Sequence, residues 1–204
     1  MKALSRLVAG ALGAGWIAVA AAQAAPPEIF APGVVSGPSN DADAAFAPDG
    51  TTLVFSRDGA ILLSTKSPAG WSTPVLAPFS GRWMDAQPTF APDGGALVFV
   101  SNRPLADGDA ARPGGNLWRV ERHGDAWGEP LHLPAVVNRG PSIWGPSVAA
   151  DGSLYFMDRV DGKGPFKLWR AQAEADLARI AAWDNGNQNI WRVSLAPWLD
   201  ARKK

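Results

Sequence analysis

The sequence predicts an all-β chain, a β-propeller of four-stranded antiparallel blades. Three observations lead there. The composition is rich in proline, glycine and tryptophan, with 18, 22 and 10 copies in 204 residues. That balance suits short strands joined by tight turns and disfavours helices. An Asp-Gly corner recurs along the chain, and an apolar triplet without alternation follows each corner.

The corner appears as Phe46-Ala47-Pro48-Asp49-Gly50, as Phe90-Ala91-Pro92-Asp93-Gly94 and, more weakly, as Val148-Ala149-Ala150-Asp151-Gly152. An Asp-Gly pair between β-prone runs is a strong hairpin signal, because glycine accepts the positive φ that such turns need. The runs after the corners are Leu53-Val54-Phe55, Leu97-Val98-Phe99 and Leu154-Tyr155-Phe156. A strand that is apolar at successive positions is buried on both faces. Sheets stacked around an axis bury their middle strands in this way, whereas a simple sandwich leaves one face wet and alternates.

A second pair of strands completes each unit. Asn116-Leu117-Trp118-Arg119-Val120 matches Lys167-Leu168-Trp169-Arg170-Ala171 and Asn189-Ile190-Trp191-Arg192-Val193, with Ala60-Ile61-Leu62-Leu63-Ser64 as the earliest copy. Trp71-Ser72-Thr73-Pro74 then corresponds to Trp127-Gly128-Glu129-Pro130. Four short strands per unit of this length make a propeller blade. The predicted blades cover residues 37–77, 78–134 and 135–171 of a domain over 25–204.

Both ends of the repeat look incomplete. Ile29-Phe30-Ala31-Pro32-Gly33-Val34-Val35 aligns with Leu131-His132-Leu133-Pro134-Ala135-Val136-Val137, so the first strand reads as the outer strand of a blade with no inner strands before it. A closing strand over 186–196 is expected to pair with 28–35 in a composite blade, which would cover two exposed edges. The Trp169 to Trp191 step is less than half the Trp118 to Trp169 step, however, and residues 172–183 read as a short helix rich in Ala, Glu, Leu and Arg. The propeller is thus expected to be incomplete, with about three blades plus the composite, either as a longer propeller with an internal deletion or as a divergent small propeller whose last blade uses a helix.

Ahead of the repeats, residues 1–24 read as a signal peptide. Lys2 and Arg6 precede an apolar run, and Ala22-Gln23-Ala24 fits a small-residue cleavage site. The run is short for a membrane span. Export to the periplasm or the medium is expected, with no membrane span after cleavage. The chain has no cysteine, so no disulfide supports the fold. Basic and acidic residues number 19 each, and both leader charges are basic, which leaves a slightly acidic mature chain. Nucleic acid is an unsuitable partner for that balance.

The phrases Phe-Ala-Pro-Asp-Gly, Ser101-Asn102-Arg103-Pro104 and Asn-Leu-Trp-Arg-Val resemble the WD-like repeats of TolB-type β-propellers, over residues 28–171 and 186–196. The resemblance implies the fold and little about activity, since this scaffold hosts unrelated functions. The α/β domain that precedes the propeller in TolB has no counterpart expected here.

No catalytic constellation is legible. The two histidines, His123 and His132, supply a zinc site poorly, and both read as exposed. Neither Gly37-Pro38-Ser39 nor Gly145-Pro146-Ser147 completes a nucleophile elbow. No cofactor or metal is expected. The candidate ligand-binding residues are Arg57, Arg103 and Arg159, each ending a second strand, with Trp83 and Trp144 in loops between blades. The arginines form either a cationic ring at one mouth of the channel or ion pairs between blades with Asp41 and Asp85. The tryptophans either stack on a sugar or grip a peptide, or serve only to pack between blades. The expected role is a non-enzymatic protein- or peptide-binding module of the cell envelope, with a glycan as a further ligand class. A carbohydrate-active lyase or glycoside hydrolase is the alternative.

Overall fold

The computed structural model describes residues 27–106, 108–159 and 164–171. The expected leader, the helix at 172–183 and the closing strand at 186–196 lie outside these residues. Among the described residues the chain is all β, in three antiparallel sheets taken in sequence order. The first sheet holds β1 (Asp41–Phe46), β2 (Thr52–Arg57), β3 (Ala60–Ser67), β4 (Gly70–Trp71) and β5 (Val75–Leu76). The second holds β6 (Asp85–Phe90), β7 (Ala96–Ser101), β8 (Asn116–His123), β9 (Ala126–Trp127) and β10 (Leu131–His132). The third holds β11 (Ile143–Val148), β12 (Leu154–Arg159) and β13 (Phe166–Ala171). No helix among the described residues is long and apolar enough to cross a membrane.

Each repeated corner joins the first two strands of a sheet. The Gly50, Gly94 and Gly152 amides donate to the carbonyls of Ala47, Ala91 and Ala149, each three residues back. Only the glycine of each Asp-Gly pair has positive φ, at 69°, 70° and 78°. The corner is therefore a four-residue turn, Pro48 and Pro92 fixing its second position in two of the three copies, and not a two-residue hairpin centred on Asp-Gly. The aspartates close it from the side. Asp49, Asp93 and Asp151 accept the N–H of Thr51, Gly95 and Ser153 at 2.8, 2.9 and 2.9 Å.

The expected single fourth strand is split in two. β4 pairs with the end of β3 through Lys66↔Trp71, whereas β5 pairs further back through Leu62↔Leu76. β9 and β10 divide the edge of β8 in the same way. Pro74 and Pro130 stand at the two breaks, where the ring removes the ladder donor.

Packing follows the apolar triplets. Val54 and Ile61 of the first sheet meet Leu97, Phe99 and Val120 of the second. Val98, Val100 and Leu117, on the other side of the second sheet, meet Leu154 and Phe156 of the third. β2 and β7 are consequently buried along both faces, while β12 alternates, leaving Met157 37% exposed. Leu53 and Phe55 complete a smaller cluster under Val35. Residues 28–35 form no strand. A tight turn over Ala31, with a bridge between Pro32 and Ser36, takes its place.

A cleft lined by three bulged strands

The first strand of every sheet is irregular at one place. Its register slips between Ala42 and Ala45 in β1, between Ala86 and Thr89 in β6, and between Trp144 and Ser147 in β11. Asp43, Gln87 and Gly145 sit inside these slips at φ of 54°, 53° and 61°. Such bulges redirect side chains and interrupt pairing. Pro88 and Pro146 fit there because a bulged edge strand has no ladder bond to lose.

The three bulges face one another around a cleft of about 290 Å³, lined by Asp43 to Ala45, Gln87 to Thr89, and Gly145 with Pro146. A left-handed glutamine is uncommon and needs support from its surroundings. Gln87 has it on both sides: its amide donates to Ser56 Oγ of the first sheet at 3.0 Å, and its Oε1 accepts the Gly145 N–H of the third at 2.7 Å. Gln87 thus ties three sheets together at the wall of the cleft. Asp43 supplies an exposed carboxylate, and Thr89 a hydroxyl. These groups can orient a polar or cationic ligand. The edges of β1, β6 and β11 also bring backbone donors and acceptors close to it.

None of these bulge residues is prominent in the sequence reading, whose candidates lie elsewhere. Arg57 Nε meets Asp41 Oδ1 at 2.6 Å, and a second nitrogen donates to the Val35 carbonyl. Arg103 meets Asp85 at 2.8 Å, donates to the Phe79 carbonyl and lies over the Phe99 and Trp118 rings. The carboxylates belong to the neighbouring strand of the same sheet, so these pairs lie within sheets and not between them. Arg103 also sits two residues past the end of β7, out of step with Arg57. Arg159 is exposed at the end of β12, over the Phe166 ring at 4.3 Å. Trp83 occupies a loop beside Arg82, as expected, but Trp144 lies in β11, where its Nε1 donates to Ser142 Oγ at 2.6 Å. His132 is half-buried rather than exposed. Its Nε2 stands 3.0 Å from the side chains of both Asn116 and Asn138, and burial, with the charge of Arg112, holds the imidazole below its ordinary pKa of 6.5.

Asp158 was not marked by the sequence pattern. It pairs with Ile143, as Arg57 pairs with Asp41, so the third sheet carries its carboxylate on the second strand. The residue is 3% exposed, and its Oδ1 has no hydrogen-bond partner among the described residues. Gly140 lets it approach, since a Cβ there would collide with that oxygen. Burial pushes the Asp158 carboxyl above its ordinary value of 3.8, against the opposing pull of the Arg159 amide and Arg139. A carboxyl raised on folding stabilises most when protonated, and that contribution fades as pH rises from the unfolded pKa through the folded one. Asp158→Asn is therefore expected to gain about 1 kcal/mol at neutral pH, the low end for relieving an unsatisfied buried group. Urea midpoints across the acid range will show the gain shrinking as pH falls; a loss at neutral pH would contradict it.

No family model matches the chain, and no curated protein matches it. Solved structures give partial likenesses. TolB from Acinetobacter baumannii is 19% identical, with 64% of this chain and 29% of that one covered at a TM-score of 0.43. A puromycin-hydrolyzing peptidase of Mycobacterium tuberculosis is 16% identical, over 69% of this chain and 22% of that one, at 0.47. A protein described as a TolB of Agrobacterium tumefaciens is 16% identical, over 66% and 59%, at 0.35. The chain thus spans less than two thirds of the length of each of these structures, and likeness at this level assigns neither family nor activity.

Proposed function

We propose that this chain is an exported β-propeller-type scaffold, TolB-like in its repeat, that binds a protein or peptide segment in the cell envelope. On this reading the three sheets are blades over residues 37–77, 78–134 and 135–171. The observation that carries the binding role is the convergence of three bulged edge strands on one cleft. An extended peptide suits such a place, because edge strands offer main-chain hydrogen bonds and the bulges leave room for side chains. The exposed Asp43 carboxylate favours a basic residue in that peptide. The leader-like residues 1–24 support the compartment. Arg159 and the two candidate tryptophans lie outside the cleft lining and stand as secondary contacts.

Selection of a random displayed-peptide library on the purified chain tests the reading. Enrichment of basic peptides is expected, and Asp43→Lys should weaken the selected peptides by about tenfold, the equivalent of one 1.4 kcal/mol contact. Enrichment no better than on heat-denatured protein, or peptides indifferent to Asp43→Lys, would discard the cleft as a peptide site. Cleavage of a polysaccharide by the purified chain would favour the enzymatic alternative.

A further inference from the structure

Asp43 and Ala44 line two recesses, not one. Besides the cleft, they border an apolar groove of about 340 Å³ on the other face of the first sheet. Alternation along β2 separates the two faces: Val54 packs toward the second sheet, whereas Leu53 and Phe55 point the opposite way, beneath Val35. Leu53 and Phe55 are the buried floor of the groove. Its walls include Phe30 and Phe46, 44% and 48% exposed.

These walls are set before any ligand arrives. Phe30, Phe46 and Trp71 meet edge-on in a triangle, each pair of ring centroids 5.7 or 5.8 Å apart. The chain brings Phe30 onto β1 by reversing over Ala31, a left-handed alanine at φ 42° whose carbonyl accepts the Val34 and Val35 amides. A cation already stands on the third ring, since Lys66 Nζ lies 5.9 Å from the Trp71 centroid. Asp41, also in the lining, is engaged by Arg57. The groove therefore offers apolar surface and aromatic edges, while Asp43, Gln87 and Thr89 give the cleft its polar character.

Between the two recesses runs the open side of β1. β1 ends its sheet, and no backbone hydrogen bond reaches its outer side among the described residues. Ala42, Asp43 and Ala44 are exposed in succession, whereas the matching residues of β6 and β11 are half-buried or buried. Ala44 also keeps the amide donor that Pro88 and Pro146 lack at the same place. Of the three bulged strands, β1 is the one best able to accept a further strand.

We propose that a peptide adding to the β1 edge is read on both sides: a basic side chain enters the cleft at Asp43, and a large apolar or aromatic one enters the groove. Successive side chains of an extended segment point to opposite faces. The two anchors therefore stand an odd number of residues apart, adjacent in the shortest case. Main-chain bonds along the edge supply affinity, and the two pockets select the sequence. This inference rests on the peptide reading of the cleft and adds to it a second pocket, an apolar anchor and a rule of spacing.

The displayed-peptide selection, followed by fluorescence anisotropy of the most enriched peptide carrying fluorescein, provides the test. Enriched sequences are expected to hold a lysine or arginine an odd number of positions from a phenylalanine, tryptophan, leucine or methionine. Phe30→Ser removes a half-exposed wall outside the strands and should weaken the labelled peptide about tenfold, as should alanine in place of the peptide's apolar anchor. The two changes together should cost little more than either alone, because they remove the same contact. Phe46→Ser, at the facing wall, should repeat the result, with circular dichroism unchanged in both variants. Basic peptides that depend on Asp43 but carry no apolar anchor and ignore Phe30→Ser and Phe46→Ser would overturn the groove and leave the cleft standing. Anchors an even number of residues apart would overturn the seating along β1. Peptides indifferent to Asp43→Lys would end both readings.

Discussion

Asp85→Ala is expected to lower the free energy of unfolding by about 3–5 kcal/mol, the cost of leaving a buried charge without its partner. Asp85 is fully buried and uses both oxygens, one on Arg103 at 2.8 Å and the other accepting the Ser80 hydroxyl at 2.8 Å. The truncated site would keep a guanidinium sandwiched between Phe99 and Trp118, with only the Phe79 carbonyl and Ser101 hydroxyl to answer it. Asp41 provides the internal control. Its ion pair with Arg57 has the same role at the mouth of the first sheet, but the two side chains are 19% and 23% exposed. Water can replace part of what is lost there, so Asp41→Ala should cost about 1 kcal/mol. Removing both charges, as in Asp85→Leu with Arg103→Met, should recover much of the single-variant loss. Urea titration of the four proteins measures all of this. Equal costs for Asp85→Ala and Asp41→Ala would show that burial does not set the strength of these pairs.

That contrast marks how far the sequence alone could be read. The Arg-Asp pairing was legible as one of two options, because an aspartate recurs at matching places in two repeats and an arginine follows close to the end of each second strand. Its burial was not, since burial depends on how closely the next sheet covers the pair. The three sheets were legible because the turn chemistry of Asp49, Asp93 and Asp151 and the apolar triplets are local signals. The split outer strand was written in Pro74 and Pro130, which a count of four strands overlooked. The cleft left a fainter trace. Pro88 and Pro146 stand inside strands where a proline needs a bulge, yet Ala44 holds the same place in the first copy, so the pattern does not repeat as a motif. Gln87 has no local mark at all. Its importance comes from hydrogen bonds to residues 31 and 58 positions away in sequence, on two different sheets.

Phe99→Ala is expected to be comparably damaging, at about 3–5 kcal/mol, and for a different reason. Phe99 is fully buried at the meeting of the first two sheets, 5.3 Å from the Phe79 ring and in one cluster with Val54 and Ile61. Its side chain also supports the Arg103 guanidinium, which lies 5.0 Å from the ring centroid. Truncation removes the transfer energy of the ring and leaves a cavity that two stiff sheets cannot easily close, the combination behind losses of this size. Val75→Ala, in an outer strand at 61% exposure, should stay within about 0.5 kcal/mol. For a chain of this size each kcal/mol corresponds to about 2–4 °C in melting temperature, so calorimetry will separate the two variants. The reasoning places the cost at the contact between sheets. If Phe99→Ala melts with the wild type while Val75→Ala does not, the stability of the chain resides in the outer strands, and the stacked-sheet account of its core is wrong.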